Sequence, residues 1–328
     1  MSNLDIMPTI SVIIPAYNAE RTILETIKSV QQQTFSDFEI IVINDGSTDR
    51  TVELIKSIKD ERVKIFSYEN GGLPTARNRG ITHAGGEFIA FLDADDLWTP
   101  DKLELQLKAL QQHPEAGVAY SWTYNISEKG ELLKPIEPLF QGNIYADLLI
   151  WNFISNGSNP LIRKQAIESV GEFCPELKSA EDWDYWLRLA ARWNFVVVPQ
   201  HQILYRRSSS SMSSKLNTIK QETLVVLEKA FSSAPVELQH LKHQSFSNVY
   251  LYYAEVYLEN LNNNLAEINQ VLRNLWAAVY LYPQNLFSRY TQTLIIKALL
   301  IRIFSHKIAS QIIQFISGIR KNPLQLQQ

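Results

Sequence analysis

Four short runs rich in Ile, Val and Phe, residues 10–14, 38–43, 63–66 and 88–92, alternate along the chain with stretches of helical spacing. No other feature constrains the fold as strongly. A strand, a helix and a second strand in succession make a right-handed crossover, and repeated units build a parallel sheet flanked by helices. Strands covered on both faces need no polar alternation, and Phe88-Ile89-Ala90-Phe91-Leu92 has none. Helices are predicted over 19–33, 51–59 and 74–84, and all four strands then end on one edge of the sheet.

Each strand runs into a polar turn at that edge: Pro15-Ala16-Tyr17-Asn18, Asn44-Asp45-Gly46-Ser47-Thr48-Asp49, Glu69-Asn70-Gly71-Gly72 and Asp93-Ala94-Asp95-Asp96. Ligands of open α/β sheets bind at such carboxyl ends, and four converging loops suit a nucleotide. No Gly-x-Gly-x-x-Gly follows the first strand, and no phosphate loop ending in Gly-Lys-Ser/Thr is present. Phosphate binding would therefore depend more on a metal ion than on a glycine-rich loop. Asp93 and Asp95 are separated only by Ala94, and neighbouring carboxylates repel unless a cation or proton lies between them. Mg²⁺ or Mn²⁺ is the natural cation; the alternative is a solvated, capping turn.

Beyond the acids, Thr99-Pro100-Asp101 predicts a helix start with Thr99 as N-cap, running to about His113. A strand is expected over 117–126, a loop containing Pro135 and Pro138 over 127–142, and a turn into another strand over 156–163, followed by a short helix to Gly171. In Glu181-Asp182-Trp183-Asp184-Tyr185-Trp186-Leu187-Arg188-Leu189-Ala190, the residues Trp183, Trp186, Leu187 and Ala190 share one helical face. The acids of its first turn either complement the helix dipole or include a general base, Asp182, whose proton affinity the adjoining aromatics raise by excluding water.

At 328 residues the chain accommodates a large domain, drawn at 8–215, and a helical appendage, drawn at 216–328. In the latter, 247–257 and 265–281 read as a helical hairpin. Residues 291–319 are apolar but interrupted by Lys297, Arg302, His306 and Lys307, with Arg320 and Lys321 beyond. The apolar runs are too short to span a bilayer, for which about 20 residues are needed. This segment is either a basic amphipathic helix giving peripheral membrane contact through 291–321 or a helix packed on the hairpin. A net charge of −3 offers no reason to expect nucleic acid, and Cys174, the sole cysteine, excludes an internal disulfide and a cysteine-based zinc site. Residues 1–9 lack the basic and apolar regions of a signal peptide, so a cytoplasmic location is expected.

Five pieces in order, Ile13-Ile14-Pro15-Ala16-Tyr17-Asn18-Ala19-Glu20, Asn44 to Asp49, Ala76-Arg77-Asn78-Arg79-Gly80, Phe91 to Asp96 and Glu181 to Trp186, resemble the family 2 glycosyltransferases. These are metal-dependent inverting enzymes of the GT-A fold, a Rossmann-like, mainly parallel sheet flanked by helices, and they use nucleotide-activated sugars. The resemblance covers roughly Thr9 to Ser214. It implies that Pro15, Tyr17, Asn18 and Asp45 line the nucleoside pocket and that Arg77 lies near the nucleotide. Asp93 would face the ribose and the metal's outer sphere. Asp95 would ligate a Mn²⁺ or Mg²⁺ that bridges the diphosphate, and Asp182 would be the catalytic base. The implied partners are a nucleoside diphosphate sugar and a glycan or lipid-linked acceptor, in surface polysaccharide or glycolipid synthesis.

Taken singly, Arg77 also reads as an ion-pair partner for a nearby acid and Asp45 as an ordinary turn residue. Many relatives carry a histidine after a Tyr-Arg pair, whereas Tyr205-Arg206-Arg207 is followed here by Ser208, which leaves the ligand set open; Arg206 and Arg207 are alternative partners of the diphosphate. The rival from another class is a noncatalytic sugar-nucleotide-binding or scaffold protein working through its helical C-terminal region.

Overall fold

The structure is a computed structural model that describes residues 7–207, 212–259 and 265–303. β1 (Ile10–Ala16), β2 (Phe38–Asp45), β3 (Val63–Tyr68) and β4 (Phe88–Phe91) are mutually parallel and lie in the order β3-β2-β1-β4. They are joined through α1 (Ile23–Gln31), α2 (Thr51–Lys56) and α3 (Leu73–His83). Ile10, Ile13, Ile14, Ile40, Ile41 and Phe91 are wholly inaccessible to solvent, as the unalternating strand sequences require. Pro15 sits beyond Ile13↔Phe91, the last register pair of β1 with β4, where its missing N–H removes no bond to that neighbour. Gly80 lets α3 lie directly on β1: a Cβ there would stand 2.2 Å from Ile13 Cγ2.

After β4 the sheet becomes mixed. β5 (Leu97–Trp98), β6 (Ala116–Ile126), β7 (Leu132–Ile136), β8 (Leu161–Arg163) and β9 (Asn194–Arg206) extend it in the order β4-β8-β6-β9-β5, with β7 on β6. β8 runs antiparallel to β4 and β6, whereas β6 and β9 are parallel. The expected loop over 127–142 therefore contains a strand: Thr123↔Ile136 and Tyr124↔Pro135 pair it with β6. Pro135 is tolerated because β7 lies at the margin of the sheet.

α4 (Lys102–Gln112) begins after Asp101 rather than at Pro100. Thr99 does not cap it: the helix starts three residues further on and the Thr99 hydroxyl donates to Asp101 Oδ1 at 2.7 Å, while its N–H donates to Gln202 O at 3.0 Å and extends the pairing with β9. Lys102, the first residue of α4, is wholly buried. Its Nζ lies 3.8 Å from the Trp98 ring centroid and has no hydrogen-bond partner among the described residues, and burial holds the amine well below its ordinary pKa. α5 (Tyr145–Ile150), α6 (Lys164–Val170) and α7 (Glu181–Ala190) complete this half.

The chain divides into two compact units, one built on residues up to 212 with 228–233, the other on 213–227 with residues from 234 onward. α8 (Met212–Ser233) contributes to both. In the second unit α9 (Lys242–Glu259) and α10 (Leu265–Leu281) form the anticipated hairpin, around Leu251, Ala254, Val271, Leu275 and Ala278. α11 (Arg289–Ile303) adds Leu294 and Ala298 to that core. Its described part thus packs on the hairpin with one face, while residues 304–321 of the expected membrane-contact segment lie outside the described residues. Among the described helices none is long and apolar enough to cross a membrane.

Candidate active site

The parallel half brings its strand ends together as predicted. The carboxylate of Asp45, at the end of β2, is buried and already engaged: Oδ1 accepts from Gly71 N at 2.9 Å and Arg79 Nη1 at 2.8 Å, and Oδ2 accepts from Gly72 N at 2.8 Å. Arg79 in turn lies over the Tyr68 ring, 4.6 Å from its centroid. Asn18 is left-handed (φ 50°) and does not cap α1. Its Oδ1 accepts from Thr48 N at 2.9 Å and its N–H donates to Ser47 Oγ at 3.0 Å, joining the first turn to the second. Pro15 is buried beneath this rim, and Tyr17 is 55% exposed on it.

The three acids after β4 have different environments. Asp96 is wholly buried: its Oδ2 accepts from Ser158 Oγ at 2.5 Å and its Oδ1 from Arg206 N at 2.8 Å. Ser158 Oγ also accepts from Asp93 N at 3.0 Å, so one hydroxyl holds both ends of the turn. Asp93 Oδ1 accepts from Arg77 Nη2 at 2.7 Å. Asp95 is left at the exposed rim, and its carboxyl is pushed up to about 6, first by loss of hydration and then by the Asp93 charge. Two hard oxygen donors that repel each other are what a divalent cation relieves, so Asp95 with Asp93 fits Mg²⁺ or Mn²⁺. No cluster of three or more His, Cys, Asp or Glu side chains suited to a metal occurs among the described residues.

α7 reaches the same edge through Arg77. This guanidinium is 1% exposed, and its Nη1 donates to Glu181 Oε1 at 2.7 Å. Gly157 makes room for it, since a Cβ there would stand 2.2 Å from Arg77 Nη2. Arg77 therefore ties acids together within the protein, in keeping with its ion-pair reading. Asp182 follows at the start of α7. Its carboxyl is pushed up to about 7, first by burial and then by Glu181, against the opposing charge of Arg77. Asp184 is turned into pairs with Arg188 at 2.9 Å and Lys229 at 3.1 Å, which leaves Asp182 as the acid of α7 able to take a proton.

Two residues from the end of β9 also stand at the acids. Tyr205 is half-buried, and its phenol is pushed well above its ordinary value by loss of hydration and then by Asp96, Asp93, Asp182 and Asp95. A phenol that feels all four aspartates was not anticipated; the only signal was its place in a Tyr-Arg pair near the end of the domain. Arg206 is not available to a diphosphate in the way anticipated. Its guanidinium donates to Asp95 O at 2.8 Å, Glu128 O at 2.9 Å and Glu25 Oε2 at 2.9 Å. Ser208, where relatives carry histidine, lies outside the described residues.

Residues 11–255 match the family model described as glycosyltransferase like family 2. The chain belongs to this family. An uncharacterized glycosyltransferase of Rickettsia conorii is 38% identical to this family member over 187 residues, 56% of the chain and 30% of the relative, so the chain spans less than a third of that relative's length. Among solved structures, S. aureus TarS 1–349 in complex with UDP-GlcNAc superposes with a TM-score of 0.62 at 20% identity, covering 90% of this chain and 86% of TarS 1–349. The mannosyltransferase PcManGT from Pyrobaculum calidifontis, in complex with GDP-Man and Mn²⁺, gives 0.57 at 16% identity over 98% and 89% of the two chains. The fold of this family member is accordingly of the GT-A type, with a helical C-terminal region.

Proposed function

We propose that this protein is an inverting glycosyltransferase that moves a sugar from a nucleoside diphosphate sugar to an acceptor hydroxyl in surface polysaccharide or glycolipid synthesis. The observation that carries the reading is the Arg77 bridge, which joins the acid turn after β4 to the helix that bears Asp182. In this reading residues 8–215 catalyse the reaction, residues 216–328 form a helical appendage, and the protein works on the cytoplasmic side. Pro15, Tyr17, Asn18 and Asp45 line the nucleoside pocket, with Arg77 behind it.

Asp182, raised to about 7, accepts the proton of the acceptor hydroxyl. The acceptor oxygen then bonds to the anomeric carbon as the bond from that carbon to the diphosphate breaks, and a single displacement inverts the centre. Asp95, with Asp93 behind it, would hold a Mn²⁺ or Mg²⁺, which supplies neutralisation of the diphosphate charge. The ligands of the structural relatives, UDP-GlcNAc and GDP-Man with Mn²⁺, support a nucleotide-sugar donor and a divalent ion.

The test is calorimetric titration of UDP, GDP and dTDP, with and without Mn²⁺, into the wild type and D95A, followed by assignment of the product's anomeric configuration from its proton coupling. Metal-dependent binding of one diphosphate, lost in D95A, and an inverted product are expected. Failure of every diphosphate to bind would sink the transferase reading and favour a noncatalytic role.

A further inference from the structure

The last acidic residue of the chain is Glu267. Residues 268–328 contain seven Lys and Arg and no Asp or Glu, which leaves a net charge of −10 on residues 1–267, against −3 for the whole chain. Charge separated this sharply along a chain marks a surface that meets an anionic partner.

The described part of this segment also exposes large apolar side chains. On α10, Trp276 and Tyr280 are 69% and 71% exposed and stack with ring centroids 5.2 Å apart. On α11, Ile296, Leu299 and Ile303 are exposed on the face opposite Leu294 and Ala298. Arg273 and Trp276 of α10 and Arg302 of α11 line one cavity of about 610 Å³, so two cations and an exposed indole meet between these helices. The cavity is also lined by Lys220 and Asn274, both buried. Lys220 Nζ donates to Asn274 Oδ1 at 3.0 Å, while Asn274 Nδ2 has no partner among the described residues.

We propose that the α10–α11 face docks on an anionic lipid bilayer, lying on its surface without crossing it. Tryptophan and tyrosine favour the headgroup level, aliphatic side chains favour the outermost acyl carbons, and Arg273 and Arg302 meet lipid phosphates. A nucleic-acid backbone would satisfy the cations but leave Trp276, Tyr280, Ile296 and Ile303 with nothing to bury them. A second copy would set one cationic segment against another, which like charge opposes. The cavity beside Arg273 and Arg302 is the place for a headgroup.

The experiment is cosedimentation of the full chain with vesicles of phosphatidylcholine alone and of phosphatidylcholine and phosphatidylglycerol in equal parts, without nucleotide. Binding to the anionic vesicles alone, weakened by salt, is expected. Each cation removed from such an interface costs about fivefold in affinity, so R273E/R302E should weaken binding roughly 25-fold or more. W276S/Y280S should also weaken it, and far-ultraviolet circular dichroism identical to wild type would show both variants folded. Equal binding to the two vesicle types, no binding to either, or wild-type binding by folded R273E/R302E would overturn the proposal. So would a doubled mass by light scattering in place of vesicle binding. Nucleotide titration of the same preparation is an independent readout, so this proposal and the transferase reading fail separately.

Discussion

Arg77 Nη1 meets Glu181 Oε1 at 2.7 Å across 104 residues of sequence. The other terminal nitrogen holds Asp93 Oδ1 at the same distance. Burial alone would weaken the guanidinium's hold on its proton, but the charges of Asp93 and Glu181 overcome this and strengthen it. The planar fork of arginine reaches two carboxylates at once, which the point charge of lysine cannot.

Removing this bridge should be costly for the fold. R77M leaves buried acids uncompensated, and a loss of about 3–5 kcal/mol is expected, read from urea unfolding midpoints. R77K should recover only part of that loss, because one ammonium cannot span Asp93 and Glu181. Equal stability of R77M and the wild type would show the bridge to be energetically idle.

Asp182 predicts a pH profile. Its carboxyl is raised to about 7, so the proton acceptor proposed here is mostly filled below that pH and available above it. The log of kcat/KM should rise with unit slope toward pH 7 and level beyond it. D182N should lower kcat by about 10²–10⁴ while leaving nucleoside diphosphate affinity near wild type. A profile flat from pH 5 to 9 would remove Asp182 from the proton transfer.

Gly157 and Gly80 are predicted to reject even a methyl group. G157A places Cβ against Arg77 Nη2, and G80A places it against Ile13 Cγ2, each 2.2 Å away in the unrelaxed structure. Overpacking of this kind costs about 1–3 kcal/mol. The two differ in consequence: G157A should also depress activity by displacing Arg77, whereas G80A should act on thermal stability alone.

Lys102 predicts a gain. Its amine is buried over Trp98 without a hydrogen-bond partner among the described residues, and its pKa lies well below the ordinary lysine value. From that lowered pKa up to the unfolded value, the unfolded chain binds the proton the folded chain refuses. Stability contributed at this site is therefore present at high pH and lost as pH falls. K102M keeps the volume without the polar head and should be more stable by about 1–3 kcal/mol at pH 7, the advantage shrinking toward pH 10. Chemical denaturation at the two pH values checks it.

Much of this was legible because the parallel half is local. Runs such as Ile10 to Ile14 and Phe88 to Leu92, each followed by a polar turn, specify strand, edge and loop within about ten residues. The clustering of Asp93, Asp95 and Asp182 at one edge followed from the crossover rule and from the resemblance. The second half was less legible. β7 carries Pro135 and has no clean alternation, and β8 is three residues long. The partners of Arg77 and Arg206 depend on contacts across 104 and 111 residues, which no local pattern encodes. Thr99 failed as a cap because α4 starts after Asp101, and the backbone at Thr99 extends the pairing with β9 instead.

The clamp by Arg206 also bears on the order in which the protein can be made. Synthesis delivers β1 to β4, and with them Asp93, Asp95 and Asp96, long before Glu181 and Arg206 leave the ribosome. Until residue 181 emerges Arg77 lacks Glu181, and until residue 206 emerges Asp96 lacks the N–H that fixes its Oδ1. Long-range contacts of this kind form late. A nascent chain stalled before residue 181 would carry the acid turn without its outer supports, and the nucleotide capture proposed for this edge would come only after β9 had joined the sheet.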